Sequence, residues 1–363
     1  MTLPVLRELS PLGRAALLAT LAASVTTLLL EFVLHADKAL IFIVSGAAIL
    51  GLAWVVGSAT ERIGALAGPQ VGGILNATFG NVAELIIAFF ALEAGLLDVV
   101  KASLTGSIIG NLLLVLGAAL ALGGRRNGTQ RFNARIAATN STLLAIAVVG
   151  LFVPAVFAFS TAGDPSGSRI AESAFTAIVL IALYLLALAY SFSHPEEMLG
   201  AEHSEEHGGP AWSRRMAIGV LLGAAALLAV LSETLVDSVE PFIEAFDLTP
   251  FFVGVIIIPT IGNLAEHLVA VQLAWRDRVD FAMAVAIGSS LQIALFVAPV
   301  LVLAGVVLGR SMDLVFEPLE VAAVGTAVAV ATLITLDGES NELEGVLLLG
   351  VYLILAAGFF FLR

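Results

Sequence analysis

The chain has 363 residues, 60% of them hydrophobic and only 12% charged, with a mean hydropathy of +1.05 and no cysteine. Soluble domains carry about 25% charged residues, so a water-exposed fold around one core is excluded, and the missing cysteines exclude disulfide scaffolds, thiolate metal sites and cysteine nucleophiles. A net charge of −13 argues against nucleic acid as a partner, since phosphate binding needs clustered Lys and Arg, and suits cations instead. The composition is that of a polytopic membrane protein with the lipid bilayer as its solvent.

A spanning helix needs about 20 mainly apolar residues. Eleven segments meet that length, roughly 13–34, 39–66, 71–95, 98–122, 133–160, 169–192, 215–243, 250–274, 280–308, 316–336 and 343–362. Turn chemistry separates them at Gly123-Gly124 before Arg125 and Arg126, at Asp164-Pro165-Ser166-Gly167, and at Asp337-Gly338. The first span is too long for a signal peptide and no small-x-small cleavage site follows it, so it is expected to stay in the protein. With the N-terminus inside, the cytoplasmic side holds 11 basic residues, including Arg62, Arg125, Arg126, Arg214 and Arg276, against 5 opposite, among them Lys38, Lys101 and Arg310. The N-terminus is therefore expected in the cytoplasm and the C-terminus across the cell membrane.

A repeat runs through the chain. Gly80-Asn81-Val82-Ala83-Glu84 returns as Gly262-Asn263-Leu264-Ala265-Glu266, 182 residues later, and Gly106-Ser107 returns at the same offset as Gly288-Ser289. Two matches at one gap-free offset indicate duplication. Spans two to six form one copy and spans seven to eleven the other. An odd number of crossings makes the copies enter the membrane from opposite sides, the inverted-repeat pattern of secondary transporters. The expected fold is thus all-α, with eleven transmembrane helices. A peripheral N-terminal helix (1–36) precedes a first five-helix repeat (37–193), an acidic cytoplasmic linker (194–213) and a second five-helix repeat (214–363).

Glu84 and Glu266 fall well inside their spans, where a charge costs about 2.5–3.5 kcal/mol on insertion scales. They could be protonated structural residues, but their repetition favours a cation site. Two carboxylates neutralise one dication, and Ca²⁺ takes six to eight oxygens. Asn81 and Asn263 lie one helical turn before the glutamates, Thr78 and Thr260 precede each Gly-Asn pair, and Gly80 and Gly262 would let the helix loosen to turn carbonyls inward, helped by Pro259 in the eighth span. Desolvation makes such glutamates hold protons unless a cation is present. Protons and metal then compete for the same oxygens, which is the minimal chemistry of exchange.

These motifs, with Gly106-Ser107-Ile108-Ile109-Gly110-Asn111, Glu266-His267 and Gly288-Ser289-Ser290-x-Gln292, resemble the paired alpha-repeats of calcium/proton exchangers, within the calcium/cation antiporter superfamily. The resemblance covers about residues 39–362. It implies Ca²⁺ as a transported substrate exchanged for H⁺ by alternating access, no cofactor and no enzymatic activity. It places the ion site on the third and eighth helices and adds Ser107, Ser289 and Gln292 to it, while Gly110 departs from the Ser or Asn expected there. It also gives Glu61 (in Ala59-Thr60-Glu61), Glu233 (after Ser232) and Asp237 a place along the cytoplasmic path, where salt bridging is the alternative, and gives His267 a proton-handling or gating part. The linker, with Glu196, Glu197, Glu202, Glu205, Glu206 and His194, His203 and His207, is either a solvated tether or a helix that gathers Ca²⁺. A homo-oligomer is compatible with the sequence.

Rival readings are weaker. An intramembrane hydrolase needs a nucleophile with a base or HExxH; no HExxH occurs, and Glu266-His267 continues as Leu268-Val269-Ala270 without a second ligand. A cation channel fits the acidic residues but not an inverted repeat with intramembrane glutamates. A sodium-coupled calcium exchanger typically has an aspartate in the second motif, where this chain has Glu266-His267. A Na⁺ or K⁺ proton antiporter of the same fold differs in cage size, which spacing does not reveal.

Overall fold

In hydrocarbon a segment must close its own backbone hydrogen bonds, and the helix does this within one segment. The structure, a computed structural model that describes residues 8–68, 75, 78–161, 166–194 and 212–361, is accordingly nearly all helix. In chain order the helices are α1 (Pro11–Phe32), α2 (Lys38–Ala67), α3 (Val82–Glu93), α4 (Leu97–Ile109), α5 (Leu116–Asn127), α6 (Ala134–Ser160), α7 (Ser166–Ser193), α8 (Arg214–Val236), α9 (Val239–Ala245), α10 (Ile258–Trp275), α11 (Val279–Gln292), α12 (Ala298–Leu308), α13 (Pro318–Thr335) and α14 (Glu342–Phe361). Strands β1 (Gln130–Arg131) and β2 (Glu339–Ser340) pair antiparallel, Gln130 opposite Ser340. Ten helical stretches among the described residues are long and apolar enough to cross a membrane. The chain is an integral membrane protein of many spans.

The expected third span, 71–95, is described only in part, since residues 69–74 and 76–77 lie outside the described residues and α3 has 12 residues. The Asp164-Pro165 turn and the acidic run Glu196 to Glu206 also lie outside them. Two expectations are corrected. Gly123-Gly124 is no turn: both belong to α5, which ends at Gly128 with φ +79. These glycines serve close packing instead, because a Cβ on Gly124 would strike the backbone of Glu342 and one on Gly123 the carbonyl of Ala274. The expected seventh span 215–243 breaks after Val236, with Asp237 as its C-cap and α9 resuming at Val239. At the remaining turn, Gly338 has φ +76 and Asp337 Oδ1 accepts from the Glu339 N–H at 3.1 Å, as expected of Asp-Gly.

The chain forms two compact units. Unit 1 comprises Met1–Ala94, Ser204–Pro250 and Ile261–Ala265. Here α2 packs along α8 and against α1, and α1 turns Gly13, Leu17, Thr20, Ser24 and Thr27 inward on one stripe. Gly51 of α2 admits Thr20, which would otherwise collide with a side chain there. Asp37 caps α2 by accepting from the N–H groups of Ala39 and Leu40.

Unit 2 comprises Gly95–His203, Phe251–Thr260 and Glu266–Arg363. Its helices touch through small residues, the usual way for backbones to approach in a membrane. Gly117 and Gly345 join α5 to α14, while Ala102 and Gly106 of α4 lie on Gly254 and Val255. Gly106 is the critical point, because the Val255 carbonyl occupies the space its Cβ would need. That carbonyl has a reason to turn outward. Pro259 has no N–H to offer the carbonyl four residues back, and the π turn Val253–Ile257 sits at this place. Two further π turns, Gly110–Val115 and Ile293–Val297, end 182 residues apart, and α4 and α11 begin 182 apart.

Since the neighbour of Gly106 is backbone, Gly106→Ala should cost about 1–3 kcal/mol by overpacking, read as a lowered thermal midpoint in detergent.

Candidate cation site

The two motif copies are built differently. In the first, Gly80 and Asn81 form a turn, and Asn81 (φ −105) is the N-cap of α3. Glu84 is therefore in the first turn of a helix, where free N–H groups and the helix dipole favour a negative charge. Asn81 and Glu84 are buried, Gly80 is half-buried and Thr78 exposed.

In the second copy α10 runs unbroken through Gly262, Asn263 and Glu266, so the loosening expected at Gly262 is absent. The irregular turn lies upstream at 253–257, where Pro259 withdraws a hydrogen bond; the first copy has Ala77 at the matching position and breaks at Gly80 instead. Asn263 is buried, and Glu266 and His267 are half-buried. The Thr260 hydroxyl donates to the Ile256 carbonyl at 2.6 Å, which commits its proton to its own helix.

Within unit 1, residues of both motifs meet. A Cβ on Gly262 would lie 2.8 Å from Glu84 Oε1 and 3.1 Å from its Cδ. The carboxylate of the first motif thus rests on the glycine of the second. Within unit 2, Ser289 hydrogen-bonds Glu266, and its Oγ accepts from Asn111 Nδ2 at 2.9 Å. Glu266 Oε2 is buried without a hydrogen-bond partner among the described residues. Ser107 is buried on α4 and Gln292, half-buried, closes α11. The sequence marks Asn111 only as part of a motif, and the structure gives it a contact; its signal is the Gly-Asn pair, which repeats the composition of Gly80-Asn81.

Glu61 on α2, with Glu233 and Asp237 at the end of α8, is exposed. Arg62 donates its Nε–H to the Trp212 carbonyl at 2.8 Å. Beside the acids, Thr60 Oγ1 and Ser232 Oγ are buried without a partner among the described residues.

Fold and site together define an integral membrane protein of many helices with carboxylates buried or half-buried among them. The sodium/calcium exchanger protein family matches residues 38–193 and 216–361, and the chain belongs to that family. It is 43% identical over 342 residues to the Ca(2+)/H(+) antiporter of Aphanothece halophytica, covering 90% of this chain and 92% of the relative. It is 42% identical over 345 residues to the Ca(2+)/H(+) antiporter ChaA of Bacillus subtilis, covering 94% and 97%. The structure of native YfkE superposes with a TM-score of 0.83 at 38% identity, covering 96% of this chain and 100% of that one.

Gly262 faces the tip of a flexible side chain where Gly106 faces backbone. Gly262→Ala should therefore displace the Glu84 carboxylate and leave the stability within about 1 kcal/mol of the parent, read from the thermal midpoint under the conditions used for Gly106→Ala.

Proposed function

We propose that this chain is a secondary active antiporter that exchanges Ca²⁺ for H⁺ by alternating access. The observation that carries the reading is the seating of Glu84, from the first Gly-Asn-x-x-Glu motif, on Gly262 of the second. The Ca(2+)/H(+) antiporter relatives support the choice of ions. The matched offset of the π turns and of α4 and α11 supports a duplicated, inverted architecture of eleven helices, with the N-terminus cytoplasmic, the C-terminus opposite and the cell membrane as location.

In this reading Glu84 and Glu266 carry either one Ca²⁺ or protons. Asn81 and Asn263 supply amide oxygens, Ser107, Ser289 and Gln292 orient the carboxylates, and carbonyls near Gly80, Thr78 and Thr260 complete the oxygen count that Ca²⁺ requires. Glu61, Glu233 and Asp237, being exposed, deliver cations from the water, and His267 lies beside the second carboxylate to assist its protonation. Ca²⁺ acts as substrate, and protons returning from the other side displace it.

Glu84→Gln and Glu266→Gln keep shape and remove one negative charge each. Either should reduce Ca²⁺/H⁺ exchange in proteoliposomes to near background while the protein stays folded and inserted. Substantial exchange by both single variants would defeat the site. Gly262→Ala should fold normally yet weaken apparent Ca²⁺ affinity by about tenfold, equivalent to about 1.4 kcal/mol.

Competition fixes the sign of the pH effect. Acidifying the Ca²⁺-loading side should raise the apparent KM for Ca²⁺ more than it lowers the maximal rate, measured as initial flux against Ca²⁺ concentration at several pH values. Loss of maximal rate alone would indicate a separate inhibitory proton site.

A further inference from the structure

Outside the motifs, unit 2 buries another carboxylate. Glu320, in the first turn of α13, is 1% exposed. Its Oε2 accepts from the Glu317 N–H at 2.9 Å, completing a reciprocal capping box with Glu317. The cap uses one oxygen. The other, Oε1, is buried without a hydrogen-bond partner among the described residues, and so is the hydroxyl of Thr105 on α4. The two side chains face each other without closing a hydrogen bond.

Thr105, like Thr60 and Ser232, differs from most of the helical hydroxyls. Those of Thr20, Ser24, Thr234, Ser238, Thr260 and Ser290 return to the carbonyl four residues back. The Thr105 hydroxyl does not, and so stays available to the carboxylate. Lys101, one turn earlier on α4, is held by Asp313 and by the Val315 carbonyl at 2.7 Å. The charged groups facing Glu320 are thus Lys101 and Glu317, with Asp313 behind Lys101. Helices α6 and α14 and strand β2 also pack on α13. Their Arg135, Glu342, Glu344 and Glu339 lie at its other end, by Gly338, and Tyr352 is midway along α14. The π turn Gly110–Val115 holds no titratable group.

A buried carboxylate with an unserved oxygen is costly when ionised. Protonated, Oε1–H can donate to Thr105; ionised, Oε1 can accept from the same hydroxyl, which is both donor and acceptor. One rotating O–H therefore serves both charge states. Farther along α4, Asn111, at the start of the π turn that continues it, reaches Ser289 and through it Glu266. Glu317, at the mouth of the cap, is exposed to water.

We propose that Glu320 is a proton-binding site separate from the motif glutamates, and that with Thr105 it passes protons between water at the start of α13 and the polar residues of α4. This rests on the proposed exchange of Ca²⁺ for H⁺. The proton is taken up on Oε1 from water and released along Thr105; no bond other than O–H is made or broken.

Gln keeps a capping box intact but cannot ionise, so Glu320→Gln separates capping from proton binding. In proteoliposomes, with the parent protein as reference, Glu320→Gln should lower the maximal exchange rate about tenfold at alkaline pH, less than the hundredfold of a fully committed acid–base group because water can bypass it. The KM for Ca²⁺ and the thermal midpoint should not change. Thr105→Val, which leaves the cap untouched, should give the same pH profile, and Thr105→Ser should restore it. Parental pH profiles in both Glu320→Gln and Thr105→Val would leave Glu320 a cap only and overturn the proposal. A parent that exchanges no Ca²⁺ for H⁺ would instead defeat the exchange reading itself.

Discussion

A carboxylate inside hydrocarbon must be protonated, paired with a cation, or wrapped in hydrogen-bond donors, and each alternative costs several kcal/mol to lose. The proposed exchange turns on that requirement, and the two motif glutamates have different surroundings. Glu84 receives the free N–H end of α3, a fixed source of positive potential. Glu266 sits within a continuous helix and relies on Ser289. One carboxylate is thus steadied by backbone and the other by a side chain that a neighbouring asparagine orients.

Close backbone approach is the second constraint. With lipid outside, helices gain little from burying apolar side chains against each other, and small residues let dispersion and carbonyl contacts act at short range. Gly106 against Val255, Gly254 against Ala102 and Gly345 against Ala121 are such contacts in unit 2. The first two coincide with the π turn Val253–Ile257, which widens its helix by a residue and re-aims the next turn. Pro259 and Pro299, each two residues past the end of a π turn, impose the irregularities at Val253–Ile257 and Ile293–Val297 from the sequence, while Gly117 stands at the matching place after Gly110–Val115.

Much of this was legible in the sequence because its signals are local. Apolar length marked the ten described spans, and the repeated Gly-Asn-x-x-Glu marked one buried and one half-buried glutamate without any knowledge of contacts. The illegible features depended on distant partners. Gly123-Gly124 reads as a turn until Glu342 and Ala274 are seen against it. Gly80 and Gly262 are equivalent letters, yet one breaks a helix and the other stays within one, because Pro259 absorbs the irregularity upstream of the second. The break after Val236 comes from Asp237 closing α8 beneath Ser238, whose hydroxyl returns to Thr234 at 2.8 Å. Asn111 gained its place only from the position of Ser289, 178 residues away.

The central claim is that Ca²⁺ and protons occupy the same carboxylates, and proton release on Ca²⁺ binding tests it most directly. Ligands must lose their protons to hold a metal. Calorimetric titration of the purified protein with Ca²⁺, in buffers of different ionisation enthalpy and without sodium, counts the protons displaced. The account predicts that protons leave as Ca²⁺ enters, and that fewer leave in Glu84→Gln and in Glu266→Gln. Tight Ca²⁺ binding with no proton release at any pH would contradict it.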